Sequence, residues 1–214
     1  MAYSGHHNKL RPGVNAMLLP KYFQTKLTDF KFANGFLLIL CWLAQVLRVS
    51  FGSIQPLRTL RTLILFSVAD VVVLYIPRRL TPHLEAVKVR QIALDLNVLF
   101  SLYVLILLFA PQALDTAYLD NSQAGLGILF SLLGVPMPYI RPNGAYGIRL
   151  PWTKNSTEIW EKTNILGARL LLIIGIVSLL VGAFQAKWFL MSLIIGVIVL
   201  SGATIAYAHH LAQP

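Results

Sequence analysis

The sequence predicts an all-α fold, a polytopic membrane helical bundle of about six transmembrane helices with both termini cytoplasmic. Three observations carry that prediction. Of the 214 residues, 57% are hydrophobic and 12% charged, where soluble domains carry roughly 25% charge. Mean hydropathy is +0.68, more apolar surface than a soluble core of this length can hide. The apolar residues also fall in blocks, near 34–50, 60–77, 91–110, 123–140, 164–184 and 187–208, close to the ~20 residues that cross a ~30 Å hydrocarbon layer as a helix. Lipid offers no partner to backbone N–H and C=O groups, so each block that spans must be helical; the blocks are about twice as long as a barrel strand.

Residues 1–33 read as a basic cytoplasmic tail without the apolar segment of a signal peptide. Phe23, Leu27 and Phe30 recur at helical spacing between Lys21, Lys26 and Lys31. That pattern fits an interfacial amphipathic helix on the inner leaflet as well as it fits a disordered leader. His6 and His7, like His209 and His210 at the other end, lack further nearby ligands and read as flexible polar ends, with no metal site.

Residues 34–140 hold transmembrane helices one to four. Arg48, Asp70 and the pair Pro136 and Pro138 interrupt or border the first, second and fourth. Asp95 and Asn97 lie near the start of the third. A carboxylate in lipid costs several kcal/mol unless paired or neutralised, so Asp70, Asp95 and Asn97 are the intramembrane polar candidates. They serve either ligand or ion contact or helix assembly, with Arg48, Gln45 and Asn97 as the available partners for Asp70. Residues 141–163 form a polar loop, and 164–214 hold helices five and six with a short tail. In those last spans, Ser178 and Gly182, and Ser192 and Gly196, are four residues apart. Such small residues let helix backbones approach, here within one chain.

The net charge is +10, from 18 Lys plus Arg against 8 Asp plus Glu. Because these cations sit between spans, they are an orientation signal and not a nucleic-acid surface. Lys9, Arg11, Lys21, Lys26, Lys31, Arg78, Arg79, Lys88, Arg90, Arg141, Arg149, Lys154, Lys162 and Arg169 fall on one side; Arg48, Arg58, Arg61 and Lys187 fall on the other. The positive-inside rule then puts both termini and the 141–163 loop in the cytoplasm. The lone Cys41 excludes an internal disulfide and a cysteine-type metal cluster. No HExxH, GxSxG or Walker pattern occurs, so the expectation is no enzyme and no cofactor. Two intramembrane carboxylates keep a small proton-coupled transporter as the alternative class, although no pair of Gly/Pro-broken helices recurs in matching halves.

The loop is the most detailed stretch: RPNGAYGIRLPWTKNSTEIWEKTN over 141–164. Pro142, Asn143 and Gly144 make a turn signal that ends the fourth span near Ile140. Asn155 with Glu158 reads as a capping box opening a helix that runs through Trp160 and Asn164 into the fifth span. Trp152 and Trp160 suit the headgroup layer. Arg149, with a planar fork of donors, suits a fixed contact to lipid phosphate or a carboxylate.

The string AYGIRLPWTKNSTEIWEKTNILGARL resembles the signature of the SdpI family of bacterial membrane proteins. Gly147, Ile148, Arg149, Pro151, Trp152, Thr153, Trp160, Lys162, Thr163 and Gly167 fall on matching positions, and Asn143 fits the asparagine that precedes the glycine. Leu150 stands where threonine is usual, Lys154 where an apolar residue is common, and Asn164 replaces a histidine, which removes a protonation switch. The resemblance spans roughly 136–184. It implies a multi-pass protein of the bacterial cell membrane giving immunity to a secreted toxic peptide or bacteriocin. It also implies a signalling partner, a cytoplasmic repressor held at the membrane, with Asn143, Gly147, Ile148, Arg149, Pro151, Trp152, Thr153, Trp160, Lys162 and Thr163 as the functional surface.

Overall fold

The computed structural model describes residues 27–51, 56–80, 86–109, 123–185 and 187–213. Among them the secondary structure is helical throughout: α1 (Leu27–Ser50), α2 (Pro56–Leu80), α3 (Ala86–Phe109), α4 (Gln123–Gly134), a 3₁₀ turn (Met137–Tyr139), α5 (Pro151–Asn155), α6 (Thr157–Phe184) and α7 (Lys187–Ala212). A helix lies at each of the six predicted positions. By length and composition four can cross a membrane: Leu27–Ser50, Ala86–Phe109, Thr157–Gly182 and Lys187–Ala212. The chain is thus a helical membrane protein.

The boundaries follow local chemistry. Pro56 opens α2 and Pro151 opens α5, where the missing proline N–H would have had no helical partner anyway. The fourth predicted span, 123–140, is shorter as an α-helix than expected. Pro136 and Pro138 cannot donate, so α4 stops at Gly134 and the chain continues as the 3₁₀ turn. The first span begins earlier than expected. Leu27 and Phe30 are the first turn of α1 and continuous with the span, so they are not part of a separate surface helix; Phe23 and the two amino-terminal histidines lie outside the described residues.

The helices pack as two groups. In the amino-terminal group α3 is central, packed on α1 and α2; in the carboxyl-terminal group α6 is central, packed on α4 and α7. Outward faces are apolar, for example Val68 and Val71 on α2 and Ile194, Ile195 and Ile198 on α7, as expected for surfaces that meet acyl chains. Inside the carboxyl-terminal group, backbones nearly touch. A Cβ added at Gly175 would lie 2.4 Å from the Gly127 carbonyl and 2.2 Å from the Ser131 hydroxyl, and one at Gly134 would lie 2.7 Å from the Ala168 carbonyl. Between α6 and α7, Gly196 and Gly182 instead make room for side chains, Ile174 and Phe189, in keeping with packing within one chain.

Candidate functional site

Residues 139–167 fold into one hydrogen-bonded unit against the start of α6. Trp160, on the second turn of α6, is 1% exposed and donates its indole N–H to the Ile140 carbonyl at 2.8 Å. The neighbouring turn holds Asn164, fully buried. Its side-chain oxygen accepts the Ile148 N–H at 2.8 Å, and its amide donates to the Trp160 carbonyl at 2.9 Å. Between them runs Gly147, whose φ of +110° excludes most side chains. A Cβ there would also sit 2.7 Å from Asn164 Oδ1 and 2.8 Å from the Trp160 ring. Ile148 then drops onto Gly167, where an added Cβ would lie 2.2 Å from the Ile148 Cδ1.

The rest of the loop is closed by short-range bonds. Asn143 accepts the Ala145 and Tyr146 N–H groups, both at 2.8 Å, and donates to the Arg141 carbonyl. Arg149, exposed, donates to the Gly144 carbonyl. Thr153, fully buried, accepts the Leu150 N–H at 2.8 Å and turns its proton toward the Ile148 and Leu150 carbonyls. Tyr146 donates to the Leu133 carbonyl at the end of α4, and burial pushes its phenol up to about 12. Trp152 stands edge-on to His209 in the last turn of α7, with ring centroids 5.2 Å apart. Pro151 is exposed at the head of α5. Lys162 is paired with Glu158 at 2.7 Å. Thr163 is fully buried, and its hydroxyl finds no partner.

Several expectations need correction. Trp160 faces protein and not headgroups: it is the core of the loop, its N–H already taken by Ile140. The helix cap is Ser156, which accepts the Ile159 N–H, and not Asn155. Pro151 starts a short helix that includes Asn155, and Glu158 pairs with Lys162 instead of closing a capping box. His209 and His210 belong to α7, so they are not a flexible tail.

The intramembrane candidates are spread over separate places. Asn97, fully buried, accepts from Asn34 Nδ2 at 3.0 Å, and Ser101 donates to the Asn34 oxygen, tying α1 to α3. Asp95, 4% exposed, accepts the Tyr139 hydroxyl at 2.5 Å. The bond reaches from α3 to the foot of the loop. Asp70 is half-buried and one of its oxygens has no hydrogen-bond partner. The partners anticipated for it are engaged elsewhere: Gln45 with the Leu107 carbonyl, Arg48 with the Leu108 carbonyl and Asn97 with Asn34. Sequence reading missed Asn34, Tyr139 and Tyr146. Asn34 was legible as an amide at the first position of an apolar block; the two tyrosines carried no signal apart from their place beside the loop.

This geometry defines a helical membrane protein in which an ordered polar loop, built on one helix entrance, leaves Arg141, Arg149 and Lys154 exposed. The model of the SdpI/YfhL protein family matches residues 139–208, from Tyr139 through the loop and α6 into α7, and assigns this region to that family. No curated protein and no solved structure matches the chain.

Proposed function

We propose that the chain is a multi-pass immunity protein of the bacterial cytoplasmic membrane, protecting the cell against a secreted, membrane-active toxic peptide. Six spans with both termini inside would carry the 141–163 loop on the inner face, where the Lys and Arg bias points. The single observation that supports a functional loop over a plain tether is its internal order. Gly147, Thr153, Trp160 and Asn164 spend buried polar groups and a left-handed glycine on fixing its shape. A loop that only connected two spans has no need of them. With the shape fixed from within, the exposed Arg149 and Lys154 are held where a cytoplasmic partner such as a repressor can meet them.

The test is survival of cells challenged with the toxic peptide. Arg149→Ala should lower protection at least tenfold while membrane levels stay within about twofold of wild type, because its side chain is exposed. Unchanged protection would remove Arg149 from the contact surface. The burial of Asp95, a carboxyl group inside a membrane helix, supports a second reading, a proton-coupled carrier. Asp95→Asn abolishing pH-driven uptake in vesicles, with protection intact, would decide for it.

A further inference from the structure

A cleft of about 140 Å³ lies where the two helix groups meet. Phe66 and Ala69 of α2, Leu99 and Tyr103 of α3, and Ile128 and Leu132 of α4 line it. It arises because α2 packs on α1 and α3 while α4 packs on α6, leaving α3 as a floor between two walls that belong to different groups. The floor is buried, with Leu99 at 3% and Tyr103 at 5% exposure. The rim is open: Leu65, Leu132 and nearby Leu129 are 41%, 44% and 48% exposed. The polar atom of the floor is already satisfied, since the Tyr103 hydroxyl donates to Ser131 at 2.8 Å.

We propose that this cleft seats the terminal part of one lipid acyl chain, wedged between the two helix groups. Three features select that occupant. The lining is hydrocarbon and aromatic, and apolar cavities of this size stay dry and accept a six-carbon ligand such as benzene. The rim is continuous with the apolar outer faces of α2 and α4, which meet acyl chains once the spans are in a bilayer. The floor offers no free donor or acceptor, so a headgroup or a peptide backbone would enter with unpaired polar groups. The seated chain would then hold the α2–α4 spacing, alongside two tyrosine bonds between the groups, Tyr103 to Ser131 and Tyr139 to Asp95. This inference is independent of the immunity reading.

The experiment uses the full chain in phosphatidylethanolamine–phosphatidylglycerol vesicles containing a phospholipid whose acyl chain ends in a diazirine, with photolabelled residues mapped by mass spectrometry. Adducts are expected on Leu99 and Tyr103, which a lipid chain reaches only by entering the cleft. Ala69→Trp and Leu132→Trp, each filling the cleft from one wall, should cut those adducts at least fivefold while labelling of the exposed Val68 and Leu129 persists. Labelling of Val68 and Leu129 with none on Leu99 or Tyr103 would overturn the proposal, as would equal α3 labelling in wild type and either filled variant. Leu132→Trp stands on the exposed rim and carries the test if Ala69→Trp does not accumulate.

Discussion

The two helix groups are joined in different ways. In α1–α3, side chains do the joining: Asn34 with Asn97 and Ser101, Trp42 with Ser67 at 3.1 Å, and Gln45 and Arg48 with the last carbonyls of α3. In α4–α7, missing side chains do it: Gly127, Gly134 and Gly175 let the backbones of α4 and α6 touch, and Gly196 makes room for the Ile174 side chain between α6 and α7. Both are solutions to one problem: helices in lipid gain nothing from hiding apolar surface from each other, so they need either hydrogen bonds or close van der Waals packing. The difference matters for tolerance. A lost hydrogen bond in lipid is a small deficit, whereas a methyl group forced between two backbones has no direction in which to relax. The region matched by the family model begins at Tyr139 and so covers the ordered loop, α6 and most of α7, and leaves out α4.

The comparison breaks most visibly at Gly175. Gly175→Leu should prevent α4 from docking on α6 and reduce the folded fraction in mild detergent to near nothing, since overpacking alone costs about 1–3 kcal/mol and here the obstacle is backbone. A normally folded Gly175→Leu protein would disprove the close-approach account. Next comes Gly147→Val, which combines a positive φ with a clash on Trp160 and Asn164. Strain of about 1–3 kcal/mol is expected, read as faster proteolysis of the 141–155 loop with α6 and α7 still protected.

Asn164 sharpens the comparison within the loop. Asn164→Ala leaves the Ile148 N–H buried without an acceptor and should cost about 1–3 kcal/mol. Asn164→His places an imidazole at the same bond and should make the loop pH-sensitive. Only neutral imidazole can accept the Ile148 N–H, so accepting depresses the histidine's folded pKa. The stability it adds is then present above its ordinary value near ~6.5 and lost as pH falls through the folded pKa. Loop proteolysis of this variant that does not change between pH 8 and pH 5 would rule out that geometry. The smallest effect belongs to the amino-terminal group. Asn34→Ala should cost about 0.6 kcal/mol, and at most about 1.7, the measured range for interhelical hydrogen bonds in lipid; thermal unfolding in detergent would register it as a modest shift.

Sequence by itself determined the helical class and the membrane as solvent, because block length and charge composition answer directly to the thickness and polarity of a bilayer. It also located the loop that the family model matches, since Gly147, Thr153 and Trp160 had to be particular residue types to close it. What it could not supply was which polar side chain meets which. Asp70 was expected to find a partner among Arg48, Gln45 and Asn97, and all three are bonded elsewhere. Trp160 was placed at the headgroups and is instead buried on the Ile140 carbonyl. Asp95 found a tyrosine 44 residues away. Such pairings depend on helix rotation and on which helices are neighbours. Those are fixed by the fit of whole faces, by Gly175 against Gly127 above all, and a hydrogen-bond partner is chosen only after that fit has brought the two atoms within 3 Å or so.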